Sequence, residues 1–341
     1  MTRIPIAACL LLSTTLLSAA DNPAPARQEL NRLAPEAAEP PAPGIAGPVA
    51  PPEDIAEAGK LFGNPAQLAD LGRRQPDPKS AFSFAVIGDS EEGRFFFQRW
   101  WSPGRDAFER QLKSVPGRGA DCVMQLGDFV SKGTEKNYRR HVEFLKQNLR
   151  VPLLHVIGNH DRSKPNGEAD KSLYKALFGE TDFYFDYNGW RLVAFDSADY
   201  RVTDAQLDWL DRTLDTPQRK LLFLHIPPIY LHGRIISKKP AEPQGVLKPE
   251  GYFTQGAERF REIVKKRRVE RVYFGHIHAY GTAMVDGVGY VLTAGGGSPL
   301  YPLPPGYPQL KPAHYIWVEI GPKGLTETVH TMDGETFPVV F

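Results

Sequence analysis

Five short apolar stretches of the sequence are each followed by side chains that could bind a metal ion. These side chains belong to Asp89, Asp128, Asn159-His160-Asp161, His225 and His276-Ile277-His278. Carboxylate oxygens and imidazole nitrogens are common ligands of divalent cations in proteins. Two neighbouring cations suit the hydrolysis of a phosphoester, because they can activate water and stabilise charge on the phosphoryl oxygens. The residue types therefore predict a site for two metals, with phosphoester hydrolysis as its chemistry.

The apolar stretches themselves are predicted to be buried strands. The stretch from Val151 to Gly158 is typical, since it is short, rich in branched residues and ended by glycine. Helices are predicted between the first strands, at residues 106–115 and 135–150, and this alternation indicates parallel βαβ units. Ligands of open sheets lie beyond the carboxyl ends of the strands, so the five sets of side chains are expected to converge.

The second half of the chain has a different pattern. Residues 183–196 predict a hairpin with an Asn188-Gly189 turn, and Thr203 is a predicted N-cap of the next helix. A helix at 257–268 and short strands around 281–294, 314–320 and 325–331 indicate antiparallel pairing after the parallel units. Residues 230–256, rich in Pro, Gly and Lys, form a candidate lid. The aromatic segment 91–101 either packs on the domain or forms a wall of the substrate cleft.

The composition is typical of a globular protein and gives no support for a nucleic-acid partner. Of 341 residues, 41% are hydrophobic and 24% are charged, and the formal net charge is +1. His141, on a predicted helix, and His155, inside a predicted strand, are interpreted as buried structural residues.

The amino-terminal region predicts export to the periplasm or secretion. Residues 1–20 are typical of a signal peptide, with Arg3 before an apolar run that is too short to span a membrane. A lipoprotein cleavage at Cys9 is disfavoured, because most of the apolar run follows it. Residues 21–79 are predicted to be a Pro/Ala-rich, largely disordered linker with room for a short amphipathic helix within 53–71. Residues 80–341 are predicted to be one folded domain, whose Cys122 has no partner for an intramolecular disulfide.

The order of the five strand ends resembles the signature of a known family. Gly88-Asp89, Gly127-Asp128, Gly158-Asn159-His160-Asp161, His225 and Gly275-His276-Ile277-His278 are similar to the motifs of the calcineurin-like metallophosphoesterases, which include purple acid phosphatases and cyclic-nucleotide phosphodiesterases. The resemblance covers about residues 82–320. It implies an α/β fold with α+β character, in which two packed mixed β-sheets are flanked by helices as a four-layer sandwich.

The resemblance also implies a role for each residue. Asp128 would bridge two divalent metals, which could be Mn, Fe or Zn. Asn159, His225 and His276 would complete one metal site, and Asp89 and His278 would belong to the other. His160 would bind no metal and would protonate the leaving oxygen or stabilise its charge, while Asp161 would orient His160.

One position departs from the family pattern. The family often has His two residues after the first Asp, where this chain has Glu91. Purple acid phosphatases without that His use a Tyr three residues after the second Asp, where this chain has Ser131. Either Glu91 is the replacement ligand, which favours Mn or Fe over Zn, or its carboxylate turns away and the first metal is weak or absent.

The function implied by the resemblance is an exported, metal-dependent phosphoesterase of the acid-phosphatase type. A metal-bridging hydroxide would attack a small phosphorylated substrate in line. Two alternatives stay open: a phosphodiesterase acting on nucleotides, and a phosphate-recognising binding protein whose first metal site is degenerate. The sequence leaves the choice between monoesters and diesters, and the oligomeric state, undecided.

Overall fold

A computed structural model of the chain describes residues 51–74, 81–91, 106–167, 169–187, 189–235, 251–300, 313–322 and 324–341. The predicted signal peptide, the first part of the predicted linker, most of the aromatic segment and the middle of the candidate lid lie outside these ranges.

The described residues contain seven α-helices and twelve strands. The helices are α1 (Glu53–Phe62), α2 (Asn64–Arg73), α3 (Ala107–Ser114), α4 (Glu135–Asn148), α5 (Ser172–Phe178), α6 (Asp204–Thr213) and α7 (Ala257–Lys266). The strands are β1 (Phe82–Ile87), β2 (Cys122–Gln125), β3 (Leu153–His155), β4 (Phe183–Tyr187), β5 (Trp190–Ala194), β6 (Arg219–Phe223), β7 (Arg271–Phe274), β8 (Tyr280–Val285), β9 (Val288–Thr293), β10 (His314–Gly321), β11 (Gly324–Thr331) and β12 (Thr336–Pro338).

The strands form two mixed sheets of six strands each. The first sheet has the order β12-β11-β10-β1-β2-β3, and the second has the order β4-β5-β6-β7-β9-β8. In the first sheet β1, β2 and β3 are parallel, and β10 joins β1 in the antiparallel direction. In the second sheet β5, β6, β7 and β9 are parallel. The predicted parallel units are therefore present, and the predicted antiparallel strands surround them, except that β9 runs parallel to β7.

The two sheets pack face to face, with helices on both outer faces. Aromatic side chains from both sheets fill the layer between them, among them Phe84 of β1 and Phe223 of β6, whose ring centroids are 6.1 Å apart. The outer face of the first sheet packs against α3 and α4, and that of the second against α6 and α7. This arrangement confirms the predicted fold class.

Capping residues fix the starts of two helices that follow strands or loops. Thr203, the predicted N-cap, forms a capping box with Gln206 at the start of α6. At the start of α4, the Thr134 hydroxyl accepts a hydrogen bond from the backbone N–H of Asn137. The predicted apolar spacing of this helix is also present, since Val142 and Leu145 are buried.

The folded structure extends to the amino-terminal side of Ser80, where the sequence predicted its start. The predicted single helix is two helices, and polar side chains of α2 attach it to the open edge of β3. Asn64 donates to the carbonyl of His155 at 3.0 Å and accepts from its N–H at 2.8 Å, while Gln67 accepts from the N–H of Leu153 at 2.9 Å. These amides satisfy backbone groups of the edge strand, a function that the composition of the segment did not indicate.

His141 and His155 are buried as predicted, and they contact each other. Their Nε2 atoms are 3.1 Å apart, and the rings pack among Phe129 and Phe178. Burial lowers the pKa of His141 to about 3, and burial together with the nearby His141 lowers the pKa of His155 well below its usual value. Both rings are therefore neutral in the folded protein.

Across the part of the chain that the structure describes, none of the helices combines the length and the apolar character needed to cross a lipid bilayer.

The docking of α1 can be tested with two substitutions on the same helix. Ile55 is 1% exposed within a cluster that includes Tyr174 and Leu177, whereas Leu61 is 65% exposed. We expect Ile55→Ala to lower the free energy of unfolding by about 2 to 5 kcal/mol, because it leaves a cavity. Leu61→Ala should change it by less than about 0.5 kcal/mol. Urea unfolding measures both, and equal effects of the two variants would contradict the docking.

The buried histidine pair predicts a loss of stability in acid. A depressed pKa in the folded state means that the stability is fully present above the unfolded pKa of about 6.5 and is lost as the pH falls towards the folded values. Each ring should contribute a slope approaching about 1.4 kcal/mol per pH unit below that point. The free energy of unfolding should therefore fall more between pH 7.5 and pH 5 in the wild type than in the double variant His141→Phe, His155→Leu. An equal decline would show that other groups control the acid response.

Candidate metal centre

The ligand-type residues predicted from the sequence lie at the carboxyl ends of β1, β2, β3, β6 and β7. Both sheets contribute, the first through Asp89, Asp128 and Asn159 and the second through His225, His276 and His278. One ligand atom each from Asp128, His225 and His276 lies within 4.8 Å of the others. The fold thus brings together side chains that are far apart in the sequence, as the parallel strand ends predicted.

Several candidate ligand atoms lie around the side-chain oxygen of Asn159. The Nδ1 atom of His225 bonds the carbonyl of Leu126 at 2.7 Å, which leaves Nε2 facing Oδ1 of Asn159 at 3.0 Å and Oδ2 of Asp128 at 3.2 Å. Nδ1 of His276 lies 3.0 Å from the same Asn159 oxygen. Because Nδ1 of His225 donates to Leu126, Nε2 is the nitrogen that meets the two oxygens: it carries a proton when the ring is charged and offers a lone pair to a cation when the ring is neutral. We call this group, made of Asp128, Asn159, His225 and His276, site B.

A second group of predicted ligands is looser, since among the described residues only Asp128, His225 and His276 bring three such donor atoms within 4.8 Å of one another. Nδ1 of His278 bonds the carbonyl of Pro299 at 2.9 Å, and Nε2 lies 3.5 Å from Oδ1 of Asp89. Glu91 stands beside them, and its Oε2 atom is buried without a hydrogen-bond partner in the described structure. We call this group, made of Asp89, Glu91 and His278 with Asp128 at its border, site A.

The donor atoms fit divalent cations. Lone pairs of oxygen and nitrogen that face each other in a buried place repel one another unless a proton or a cation lies between them. Backbone carbonyls hold the Nδ1 atoms of His225 and His278, which is the usual way in which a protein fixes the tautomer of a metal-binding imidazole. The mixture of carboxylate, amide and imidazole donors suits Mn, Fe or Zn.

Unusual backbone conformations aim the ligands at one another. Asp89, Asp128 and His276 have φ angles of 50°, 53° and 68°, in the left-handed region that non-glycine residues rarely adopt. Such conformations cost of order 1 to 3 kcal/mol each and are concentrated at functional sites.

Two glycines permit the close approach of the strand ends. A Cβ atom on Gly158 would lie 2.2 Å from Oδ1 of Asp128, and one on Gly275 would lie 2.3 Å from Oδ2 of Asp89. Any larger residue at either position would displace a predicted ligand.

The structure corrects the role predicted for Asp161. Its carboxylate accepts hydrogen bonds from the backbone N–H groups of Asp128, Phe129, Val130 and Gly158, at 2.7 to 3.3 Å. The ring of His160 is held instead by the carbonyl of Ser131, which lies 2.9 Å from Nδ1. A backbone carbonyl replaces the expected carboxylate because the turn after β2 needs its amides satisfied. Asp161 therefore positions the Asp128 turn and not the His160 ring.

The charges of this region depend strongly on one another. Burial lowers the pKa of His225, but the carboxylate of Asp128 outweighs this and raises it to about 9. Burial, with the nearby charges of Asp128 and Asp89, raises the pKa of Glu91 to about 7 against the opposing effects of His160 and His278. Burial also raises the pKa of Asp161 to about 7. A cation that binds here would take the place of protons, so metal binding should release them.

A cavity of about 180 Å³ lies beside this centre. Glu91 and Ser131 form part of its wall, so it begins next to the His160 ring that Ser131 holds. Other parts of its wall are formed by the rings of Phe108, Phe129 and Phe144 and by Arg140.

Several residues that support the site were not identified from the sequence. The carbonyls of Leu126, Ser131 and Pro299 carry no signal in a sequence, because every residue has a carbonyl. Ser298 donates from its hydroxyl to the carbonyl of Glu91 at 2.7 Å and from its N–H to that of Asp89 at 3.0 Å. Ser298 directly follows Gly295 to Gly297, and glycines permit such a close approach of backbone groups.

Comparison with known proteins gives consistent matches. The family model described as calcineurin-like phosphoesterase matches residues 82–280. A protein of Fibrobacter succinogenes named "Probable cyclic nucleotide phosphodiesterase" is 25% identical over 188 residues, which are 53% of this chain and 67% of that protein.

Solved structures share the fold at low sequence identity. A purple acid phosphatase from yellow lupin, Lupinus luteus, matches with a TM-score of 0.58 and 15% identity, over 77% of this chain and 54% of its own length. The chain thus spans about half of that protein. A dimetal phosphatase from Danio rerio matches with a TM-score of 0.54 and 15% identity, over 76% of this chain and 99% of that one. GAP50, the anchor in the inner membrane complex of Plasmodium, matches with a TM-score of 0.52 and 13% identity, over 76% of this chain and 89% of that one.

Metal content tests whether Glu91 is a ligand. We expect the wild-type protein to bind about two Mn²⁺ ions per chain and Glu91→Ala to bind about one, because site A loses a donor. Glu143→Ala, which changes a carboxylate that is 60% exposed on α4, should bind as many ions as the wild type. Equilibrium dialysis with elemental analysis measures the ratio. Unchanged occupancy in Glu91→Ala would show that its carboxylate is not a ligand.

Proposed function

The chain belongs to the calcineurin-like phosphoesterase family, and on that premise we propose that it is an exported, metal-dependent hydrolase of small phosphate esters. The observation that carries the proposal is the convergence of the ligand atoms of Asp128, Asn159 and His225, with the backbone N–H of His160 bonded to Asp128.

Sites A and B are proposed to hold two divalent cations. Asp128 would belong to both, Asn159, His225 and His276 to site B, and Asp89, Glu91 and His278 to site A. When bound, the cations would activate a water molecule for in-line attack and withdraw charge from the phosphoryl oxygens.

His160 is proposed to supply the proton for the leaving oxygen. The carbonyl of Ser131 holds Nδ1, so the second proton of the charged ring lies on Nε2, the nitrogen that remains available. The backbone N–H of His160 donates to Oδ1 of Asp128 at 2.9 Å, which keeps the ring next to site B.

The cavity beside Glu91 favours a substrate with an apolar or aromatic leaving group. Its rings provide an apolar surface for such a group, and Arg140 adds a positive charge. A phosphomonoester is our first proposal for the substrate. A cyclic nucleotide phosphodiester is the second, favoured by the similarity to the named phosphodiesterase of Fibrobacter succinogenes.

We also propose that the chain is exported to the periplasm or secreted, on the signal-peptide character of residues 1–20.

The proposed function can be tested with His160→Ala and substrates that differ in their leaving groups. Protein loaded with Mn, Fe or Zn would be assayed with a nitrophenyl monoester, an alkyl monoester, a bis-nitrophenyl diester and a cyclic nucleotide. We expect the variant to retain its metal and to lose about 10² to 10⁴ in kcat with the alkyl ester. The loss should be smaller with nitrophenolate, which leaves without needing a proton.

Two results would contradict this mechanism. Equal losses for both leaving groups would show that His160 does not act as the acid. Wild-type protein that binds phosphate but hydrolyses none of these esters would instead support a binding protein on the same scaffold.

A further inference from the structure

Arg162 is a fully buried cation beside the candidate centre, and no role was predicted for it. Its side chain is 0% exposed. Nε donates to the carbonyl of Asn159 at 3.2 Å, one terminal nitrogen to that of Pro165 at 2.8 Å, and the other to that of Gly167 at 2.7 Å. A single guanidinium thus holds three carbonyls of the loop that follows β3.

One of these carbonyls also sets the orientation of a predicted metal ligand. The Nδ2 group of Asn159 donates to the carbonyl of Pro165 at 3.2 Å. The amide is therefore turned so that Oδ1 faces His225 and His276, each at 3.0 Å. If the Pro165 carbonyl moved, the amide would lose the contact that distinguishes its oxygen from its nitrogen.

The positive charge of Arg162 is balanced inside the protein. Asp199 pairs with the guanidinium and also with Lys171, whose Nζ lies 2.8 Å from it, and Lys171 in turn lies 2.6 Å from Asp196. Without these partners, a buried cation would repel divalent metals and would be costly to desolvate. The pairing allows Arg162 to act through hydrogen bonds with little net charge.

The acidic partners tie the loop to the second sheet. Asp196 and Asp199 lie just after β5, and between them Ser197 accepts a hydrogen bond from the N–H of Ile226 at 2.8 Å. Ile226 directly follows His225. The Arg162 network therefore links the loop that carries Asn159 to the strand end that carries His225, although the two belong to different sheets.

We propose that Arg162 is a positioning residue for site B, which fixes the Asn159 amide through the Pro165 carbonyl and so sets the affinity of that site for a divalent cation. The proposal rests on the proposed function insofar as it requires metal binding, but it does not require turnover. The planar guanidinium is suited to this task, because its fork can donate to several fixed carbonyls at once, whereas a lysine ammonium cannot match that geometry.

Mn²⁺ binding in a double-mutant cycle tests the proposal without an activity assay. Affinity would be measured by titration calorimetry for wild type, Arg162→Gln, Asn159→Ala and the double variant. We expect Arg162→Gln to weaken the affinity of site B for Mn²⁺ about 10- to 100-fold. In the Asn159→Ala background the same change should alter the affinity less than about twofold, because Arg162 acts through that amide.

Arg191→Gln is the matched control. Arg191 is also a largely buried arginine, paired with Asp186 at 2.8 Å and donating to the carbonyl of Thr213 at 2.7 Å, but it lies on β5 away from the centre. The Arg191→Gln variant should bind Mn²⁺ as the wild type does, even if its free energy of unfolding falls as much as that of Arg162→Gln.

Independent, additive effects of Arg162→Gln and Asn159→Ala would overturn the proposal, as would wild-type affinity in Arg162→Gln. If Arg162→Gln does not fold, Arg162→Lys keeps the charge and loses the fork. A weakened affinity in that variant supports the proposal, and wild-type affinity overturns it. Wild-type protein that binds no metal would overturn both this inference and the proposed function, whereas metal binding without ester hydrolysis would overturn the function alone.

Discussion

Three carboxylates lie close together in a place from which water is largely excluded, and the rest of the centre depends on this fact. Asp89 is 0% and Asp128 is 2% exposed, and an oxygen of Glu91 is buried without a partner in the described structure. Carboxylates in such surroundings must be protonated or accompanied by cations. The raised pKa of Glu91 and of His225 both express the same demand for positive charge. Divalent cations would satisfy it with the ligands that are present.

The two sheets supply different kinds of ligand to the centre. The first sheet supplies the carboxylates and the Asn159 amide, and the second supplies the imidazoles. The aromatic layer between the sheets therefore does more than stabilise the fold, since it fixes the distance between the carboxylates of one sheet and the imidazoles of the other. The left-handed conformations of Asp89, Asp128 and His276 complete the alignment at the strand ends. Backbone strain of this kind persists only when its surroundings hold it. The hydrogen bonds of Asp161 to the Asp128 turn stabilise the strained conformation of Asp128.

Much of the fold and most of the candidate ligands could be predicted from the sequence, because both follow from local patterns. Short apolar runs ending in glycine predicted the strands, and the polar residues after them predicted the convergence of Asp128, His225 and His276. The sequence could not predict contacts made by backbone groups. The family resemblance implied that Asp161 orients His160, whereas the structure uses the carbonyl of Ser131. The early start of the folded region was missed because the amphipathic pattern within 53–71 does not show what the segment packs against, and the Asn64 amide that bonds β3 leaves no pattern of its own.

The position of β1 has a consequence for how the chain is made. This strand carries Asp89 and lies inside its sheet, between β2 and β10, where Phe82 pairs with Ile320. Pairing between residues so distant in sequence forms late, because the long loop between them must be closed first. While the ribosome is still producing the segment before β10, one edge of this apolar strand has no neighbour and can pair with other chains. The sheet that carries Asp89 is therefore closed only when the carboxyl-terminal part of the chain has been made.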